Sequence, residues 1–182
     1  MIENEFKVML TAEQYESLLE LYDFETFTQV NHYFDTDALA MSERHITVRV
    51  RVLDGKFFLQ MKLPTSVNYS RVELSKELPE LPETLSGAEL TELSGVECPD
   101  VKRLGELKTT RGVWKFDGGE IDLDRSEYFG KTDFELEIEF TDEQAARTVL
   151  NEISSRLGLA PNSGVCTGKV RRFLEEYKKS LG

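Results

Sequence analysis

The sequence has few cysteines, no long apolar run and a deficit of positive charge. Cys98 and Cys166 are the two cysteines among 182 residues, which predicts neither a disulfide framework nor a cysteine-based metal site. No apolar run approaches the roughly 20 residues of a membrane-spanning helix. The N-terminus also lacks the basic start and apolar centre of a signal peptide. We therefore expect a cytoplasmic protein with reduced thiols and no attachment to a membrane.

The charge balance excludes further classes of partner. The 34 acidic and 22 basic residues give a formal net charge of −12, which argues against binding to nucleic acid or to an anionic membrane surface. A chain this acidic can hold a phosphorylated ligand only if its few cations gather in one place or if metal ions assist. The positions of the lysines and arginines are therefore informative.

Alternation of apolar and charged residues is the dominant pattern. In residues 2–10, Glu3, Glu5 and Lys7 share one face of a β-strand, because successive side chains point to opposite faces. Similar alternation recurs in residues 45–53, 56–63, 70–75, 108–117, 120–124 and 134–140. These segments predict an α+β protein whose main element is a large antiparallel sheet, curled into a barrel.

Helical signals surround these strands. Capping-box spacing at Thr11 and at Thr141 predicts helices over 11–22 and 142–157, and a further helix is expected at 169–180. Prolines interrupt residues 79–107, where short helices at 83–94 and 99–107 predict a helical insertion. That insertion is too short to bury a core alone, so we expect a single domain over 1–182.

The charged strand faces are sorted by sign. Arg49, Arg51, Lys62 and Arg111 dominate the middle strands, whereas the acidic positions are Glu3, Glu5, Asp122, Glu135, Glu137 and Glu139. Carboxylates two apart on a strand repel by about 0.6 kcal/mol in water, but by roughly 2 kcal/mol in an enclosed site. Enclosed carboxylates then hold protons or cations, and an all-oxygen ligand set favours Mg²⁺ or Mn²⁺. On an open sheet the same residues would simply face solvent. Whether the sheet closes therefore decides between an enclosed metal site and a solvated surface.

The order of these motifs resembles the CYTH superfamily, or triphosphate tunnel metalloenzymes, which includes thiamine triphosphatase and class IV adenylate cyclase. The resemblance is strongest to the stand-alone bacterial members, and it implies a closed tunnel of about eight antiparallel strands with a charged lumen, flanked by helices. It is carried by Glu3-Asn4-Glu5-Phe6-Lys7, Tyr33-Phe34-Asp35-Thr36, Arg49-Val50-Arg51, Lys62, Arg71-Val72-Glu73, Arg111, Asp122-Leu123-Asp124, Glu135 to Glu139 and Lys169.

The resemblance also implies roles for these residues. Glu3 and Glu5 would bind a metal ion, and Lys7 and Glu137 would join them in catalysis. A second metal ion or the attacking water would be held by Glu73, Asp122, Glu135, Glu137 and Glu139. Phosphate oxygens would be bound by Lys7, Arg49, Arg51, Lys62, Arg71, Arg111 and Lys169. Whether Asp124, Lys115 and Glu120 reach the lumen stays open at this point.

The implied activity is Mg²⁺- or Mn²⁺-dependent hydrolysis of a triphosphate compound, either inorganic triphosphate or an organic triphosphate. A class IV adenylate cyclase, which converts ATP to cyclic AMP and pyrophosphate, is the alternative enzyme. A third alternative is a polyphosphate- or nucleotide-binding module without turnover. In each case the partner is a small molecule that contains a triphosphate.

Overall fold

A computed structural model describes residues 2–67, 70–159 and 167–182, so residues 160–166, including Cys166, lie outside the described residues. The strands are β1 (Ile2–Leu10), β2 (Glu25–Asp35), β3 (Thr47–Leu53), β4 (Lys56–Pro64), β5 (Ser70–Leu78), β6 (Thr84–Leu85), β7 (Val101–Phe116), β8 (Gly119–Tyr128) and β9 (Lys131–Phe140). The helices are α1 (Ala12–Leu21), α2 (Ala40–Glu43), α3 (Gly87–Ser94), α4 (Glu143–Leu157) and α5 (Lys169–Ser180). Within these ranges no helix has the length and apolar character that crossing a membrane requires.

Eight strands close into a barrel. Their order is β2-β3-β4-β5-β1-β9-β8-β7, and the pairing of β2 with β7 from Glu25 to Asp35 completes the circle. The short β6 pairs with the start of β7 and lies outside the circle. The pairings described are antiparallel. The predicted α+β fold with a closed antiparallel barrel is therefore confirmed.

The apolar strand faces point outward and are covered by helices. Val8 of β1 and Ile138 of β9 are at most 1% exposed and share a core with Leu18 of α1 and Ile153 of α4. This arrangement leaves the opposite, charged faces of the same strands inside the barrel, since neighbouring side chains on a strand alternate.

One of the two helix starts predicted from capping boxes differs from the sequence pattern. The predicted capping box at Thr11 and Gln14 is present at the start of α1. The α4 helix instead begins after Asp142, whose side chain accepts hydrogen bonds from the backbone of Gln144 and Ala145. A carboxylate is a strong N-cap that also opposes the helix dipole, so Asp142 replaces the expected Thr141.

The prediction of a helical insertion over 79–107 is wrong in its second half. The α3 helix lies within the expected segment 83–94, but residues 101–107 belong to β7 rather than to a helix at 99–107. The register of β2 against β7 shifts between Tyr33 and Phe34, where Leu104 has no partner opposite it. This irregularity interrupts the two-residue alternation by which a strand is recognised.

The α5 helix occupies the predicted residues 169–180 and packs on one end of the barrel. Phe173 is fully buried, with ring centroids 4.8 Å from Tyr33 of β2 and 6.3 Å from Tyr128 of β8. It also approaches Gly105, where an added Cβ would lie 3.2 Å from the Phe173 ring. The first residue of the helix, Lys169, thereby reaches the barrel interior.

Candidate active site

The interior of the barrel contains a cavity of about 860 Å³. Among the residues that the sequence predicts for the site, those lining it are Glu3, Glu5, Lys7, Arg49, Arg51, Lys62, Arg71, Glu73, Arg111, Glu137, Glu139 and Lys169. Lys115 and Glu120, whose position was open, line it as well. Asp122, Asp124 and Glu135 lie behind this surface, at most 1% exposed.

Several uncharged polar side chains of the cavity are missing from the sequence prediction. Gln29 and Asn31 of β2 and Thr109 of β7 line it and are at most 3% exposed. Gln29, Asn31 and Tyr33 follow each other at two-residue spacing, which is the signal that could have revealed them. The sequence predicts a short aromatic strand only over residues 30–36, whereas β2 begins at Glu25, so the predicted face is incomplete.

One side of the cavity is basic and is formed by β3, β4 and β5. Lys62 Nζ lies 2.5 Å from Glu3 Oε2 and 3.1 Å from Glu73 Oε2. Arg49 Nε donates to Gln60 Oε1 at 2.8 Å, and Arg49 Nη2 lies 3.8 Å from the same Glu73 oxygen. Glu73, predicted as a metal ligand, therefore belongs to the basic side and is held by cations.

Arg51 differs from its basic neighbours. Its Nε donates to Asn31 Oδ1 at 3.1 Å, and among the described residues no carboxylate lies within ion-pair distance of its guanidinium. Burial together with the positive charges of Arg49 and Arg111 lowers the pKa of Arg51 to about 9. A guanidinium enclosed with like charges favours binding of an anion.

The adjoining part of the cavity, formed by β1, β8 and β9, carries two acidic groups that share Glu139. The first is formed by Glu3, Glu5 and Glu139, and the second by Glu120, Asp122 and Glu139; within each group the ligand oxygens lie within 4.8 Å of one another. Burial and the charges of Glu3 and Asp122 raise the pKa of Glu139 to about 9. Without a cation, Glu139 therefore keeps its proton at neutral pH.

Two oxygens in these groups fit a divalent cation. Glu5 Oε2 and Asp122 Oδ1 are buried and have no hydrogen-bond partner among the described residues. A buried carboxylate oxygen without a partner costs free energy, which coordination of a metal ion would remove. Mg²⁺ and Mn²⁺ prefer such oxygen ligands.

A third acidic group, formed by Asp124, Glu135 and Glu137, is already neutralised by side-chain cations. Lys169 Nζ lies 2.7, 2.5 and 2.8 Å from these three carboxylates in that order. Arg111 adds bonds of 2.7 Å to Asp124 and 2.6 Å to Glu137, and it also pairs with Asp122. The structure thus places Glu135 and Glu137, predicted as metal ligands, against cations of the chain.

Lys7 connects the acidic groups. Its Nζ lies 2.6 Å from Glu137 and 3.0 Å from Glu5. Burial would lower the pKa of Lys7, but the charges of Glu137 and Glu5 outweigh it and hold that pKa well above its usual value. Burial likewise opposes ionisation of Glu137, yet Lys169 and Lys7 keep its pKa well below normal. Both partners therefore stay charged across the neutral range.

The predicted sorting of the charged strand faces by sign holds only in part. Arg111 was grouped with the basic strands, but β7 neighbours β8, so its guanidinium lies between Asp122 and Asp124. Lys7 and Lys169 also lie among carboxylates. The basic wall consists of Arg49, Arg51, Lys62 and Arg71.

A closed antiparallel barrel with a lumen of paired charges defines a tunnel protein. The chain belongs to the CYTH domain family, whose model matches residues 1–168. The chain is 31% identical over 199 residues to the Bacillus subtilis (strain 168) protein named "Putative triphosphatase YjbK", covering 99% of this chain and 98% of that protein.

Solved structures agree with the fold. A crystal structure described as a "putative adenylate cyclase" from Bacillus halodurans superposes with a TM-score of 0.75 at 25% identity, covering 94% of this chain and 96% of that chain. HpAC1 from Hippeastrum gives a TM-score of 0.72 at 20% identity, with 95% of each chain covered.

Proposed function

We propose that the tunnel hydrolyses the terminal phosphate of a triphosphate compound with the help of a divalent metal ion. The observation that carries this proposal is the guanidinium of Arg51, which is enclosed beside other cations and has no carboxylate partner among the described residues. Arg49, Lys62 and Arg71 line the same side of the cavity. The name of the Bacillus subtilis relative points to the same class of reaction.

The acidic side would hold the metal ion. Glu3, Glu5 and Glu139 form one candidate ligand set, and Glu120 with Asp122 extends it to a second. When bound, Mg²⁺ or Mn²⁺ would neutralise charge on the phosphate oxygens and lower the pKa of a coordinated water molecule. The unpartnered oxygens of Glu5 and Asp122 favour these two groups over the third, which Lys169 fills.

The side chains themselves orient the reacting groups. The guanidinium groups of Arg49 and Arg51 match the geometry of phosphate oxygens. They would align the triphosphate along the tunnel. Water then forms a bond to the terminal phosphorus while the bond from that phosphorus to the bridging oxygen breaks. Tripolyphosphate gives orthophosphate and pyrophosphate in this step. Lys7 and Lys169, which both contact Glu137 inside the cavity, would offset negative charge as it develops.

An adenylate cyclase is the second candidate, because the Bacillus halodurans structure carries that description. Such an enzyme must also bind adenine, which usually stacks on an aromatic face. Within the described part of the chain, Tyr33 and Phe140 are the aromatic rings (histidine aside) that line the cavity, and they are 3% and 7% exposed. They offer little ring surface to a base, which favours the hydrolase.

The assay that separates these functions follows orthophosphate and cyclic AMP in parallel. With Mg²⁺ or Mn²⁺, we expect orthophosphate release from tripolyphosphate, and no cyclic AMP from ATP. Cyclic AMP without orthophosphate would instead identify a cyclase. Tight binding of tripolyphosphate without any product would identify a binding module.

Metal binding should release a proton from Glu139. The pKa of about 9 means that this carboxyl is protonated below that pH in the metal-free protein. A metal ion needs the carboxylate, so Mn²⁺ affinity should rise by up to about tenfold per pH unit between pH 7 and 9 and level off above. Calorimetry in two buffers of different ionisation enthalpy should give about one proton released per Mn²⁺ at pH 7.5. In Glu139→Gln the release should disappear; an equal release from this variant would contradict the assignment.

A further inference from the structure

Arg172 of α5 lies one turn after Lys169 and, unlike the intervening Arg171, pairs with a carboxylate of the barrel. Residues three apart on a helix project from the same face, so both side chains reach the end of the barrel on which α5 packs. The two cations share one carboxylate: Lys169 Nζ lies 2.5 Å from Glu135 Oε1, and Arg172 Nη1 lies 2.7 Å from Glu135 Oε2. The Glu135 side chain is 1% exposed, so solvent screens these bonds little.

Arg172 is held by further bonds around the start of α5. Its Nε donates to Asp133 Oδ2 at 2.7 Å, and its Nη1 donates to the backbone carbonyl of Thr167. The hydroxyl of Tyr128 donates to the same Asp133 oxygen. Among the described residues no side chain caps the helix at Gly168, and the rigid guanidinium fork of Arg172 fixes the segment directly before Lys169.

We propose that Arg172 is a positioning residue that holds the Lys169 ammonium in its place beside Glu137 in the cavity. Lys169 lines the cavity, whereas Arg172 does not, so its effect passes through Lys169 and their shared Glu135. Lys169 and Lys7 both contact Glu137, at 2.8 and 2.6 Å, which places the two ammonium groups side by side. This inference rests on the proposed hydrolysis of a triphosphate.

The kinetic test compares Arg172→Met with Arg171→Met, a matched control. Arg171 is the neighbouring residue, 77% exposed, and its ion pair of 3.6 Å is made with Glu175 on the helix surface. With tripolyphosphate and Mn²⁺, we expect Arg172→Met to lower kcat by about 10- to 100-fold with KM changed less than about threefold, because a displaced ammonium loses its contact with charge in the transition state. Arg171→Met should match the parent. Equal kinetics of the two variants would overturn the proposal.

A double variant shows whether Arg172 acts through Lys169. In the Lys169→Met background, Arg172→Met should lower kcat by less than about threefold further, since the ammonium that it positions is gone. If each substitution lowers kcat by the same factor in the double variant as it does alone, the proposal is overturned. Arg172→Lys keeps the charge but cannot bridge Glu135 and Asp133, so it should fold and still show the low kcat; full activity of this variant would also count against positioning.

Urea unfolding of the parent, Lys169→Met, Arg172→Met and the double variant tests the contact without any substrate. Because Lys169 and Arg172 share Glu135, the two single substitutions should shift the unfolding midpoint non-additively. Additive shifts of the unfolding midpoint would overturn the inference even if the parent is active. A parent without turnover would refute the proposed function instead, while non-additive midpoints would still show that the two cations are coupled.

Discussion

Glu5→Gln should lower turnover of tripolyphosphate by at least about 100-fold and weaken Mn²⁺ binding in parallel. Glu5 belongs to the acidic group with Glu3 and Glu139, and one of its oxygens is buried without a hydrogen-bond partner among the described residues. Replacing the carboxylate by an amide removes a charged ligand, and even residues behind the ligands change affinity or activity by 10- to 100-fold in metal sites, as an order of magnitude. Calorimetric titration with Mn²⁺ and steady-state kinetics measure both effects.

Glu20→Gln, an exposed position on α1, is the matched control for this substitution. It should leave both metal affinity and turnover unchanged. If Glu5→Gln binds Mn²⁺ as tightly as the parent does, the metal ion lies elsewhere and the assignment of the first acidic group is wrong.

Arg51→Met should raise KM for tripolyphosphate by about 10- to 100-fold with a smaller effect on kcat. Loss of a hydrogen bond to a charged group costs roughly 1.5–3 kcal/mol, and about 1.4 kcal/mol corresponds to a factor of ten. Arg125→Met, which removes a half-exposed arginine paired with Glu127, should have no such effect. Steady-state kinetics of the three proteins test this prediction.

Arg51→Met should also stabilise the protein in the absence of ligand. Burial and the charges of Arg49 and Arg111 disfavour the Arg51 guanidinium, and replacing such a charge by an apolar side chain can increase the free energy of unfolding by about 1–2 kcal/mol. Tripolyphosphate should raise the Tm of the parent, and it should raise the Tm of Arg51→Met much less. A less stable variant with unchanged KM would show that Arg51 is a structural residue.

The sequence reveals the barrel strands where alternation is unbroken. Residues 2–10 and 134–140 form strands with the predicted inward faces, because each has an apolar face that the helices α1 and α4 cover. The start of β7 was not recognisable, since Leu104 lies at a register shift and the two-residue period fails there. Local pattern therefore predicts strands only where pairing is regular.

The site was predictable as a set of residues but not as a set of pairs. Alternation identifies which side chains face the lumen, yet the partner of each depends on which strands are neighbours. Arg111 pairs with Asp122 and Asp124 because β7 and β8 are adjacent, and Lys169 enters the lumen through packing of α5. No local pattern carries that information, because these contacts are set by tertiary structure.

We expect the charged strand faces to enclose a metal–triphosphate site. Anomalous diffraction from crystals grown with Mn²⁺ and tripolyphosphate tests it most directly. We predict a manganese peak bounded by Glu3, Glu5 and Glu139, with phosphate density reaching Arg51 inside the barrel. Manganese and phosphate found only on the outer surface, with the barrel interior filled by water, would contradict it.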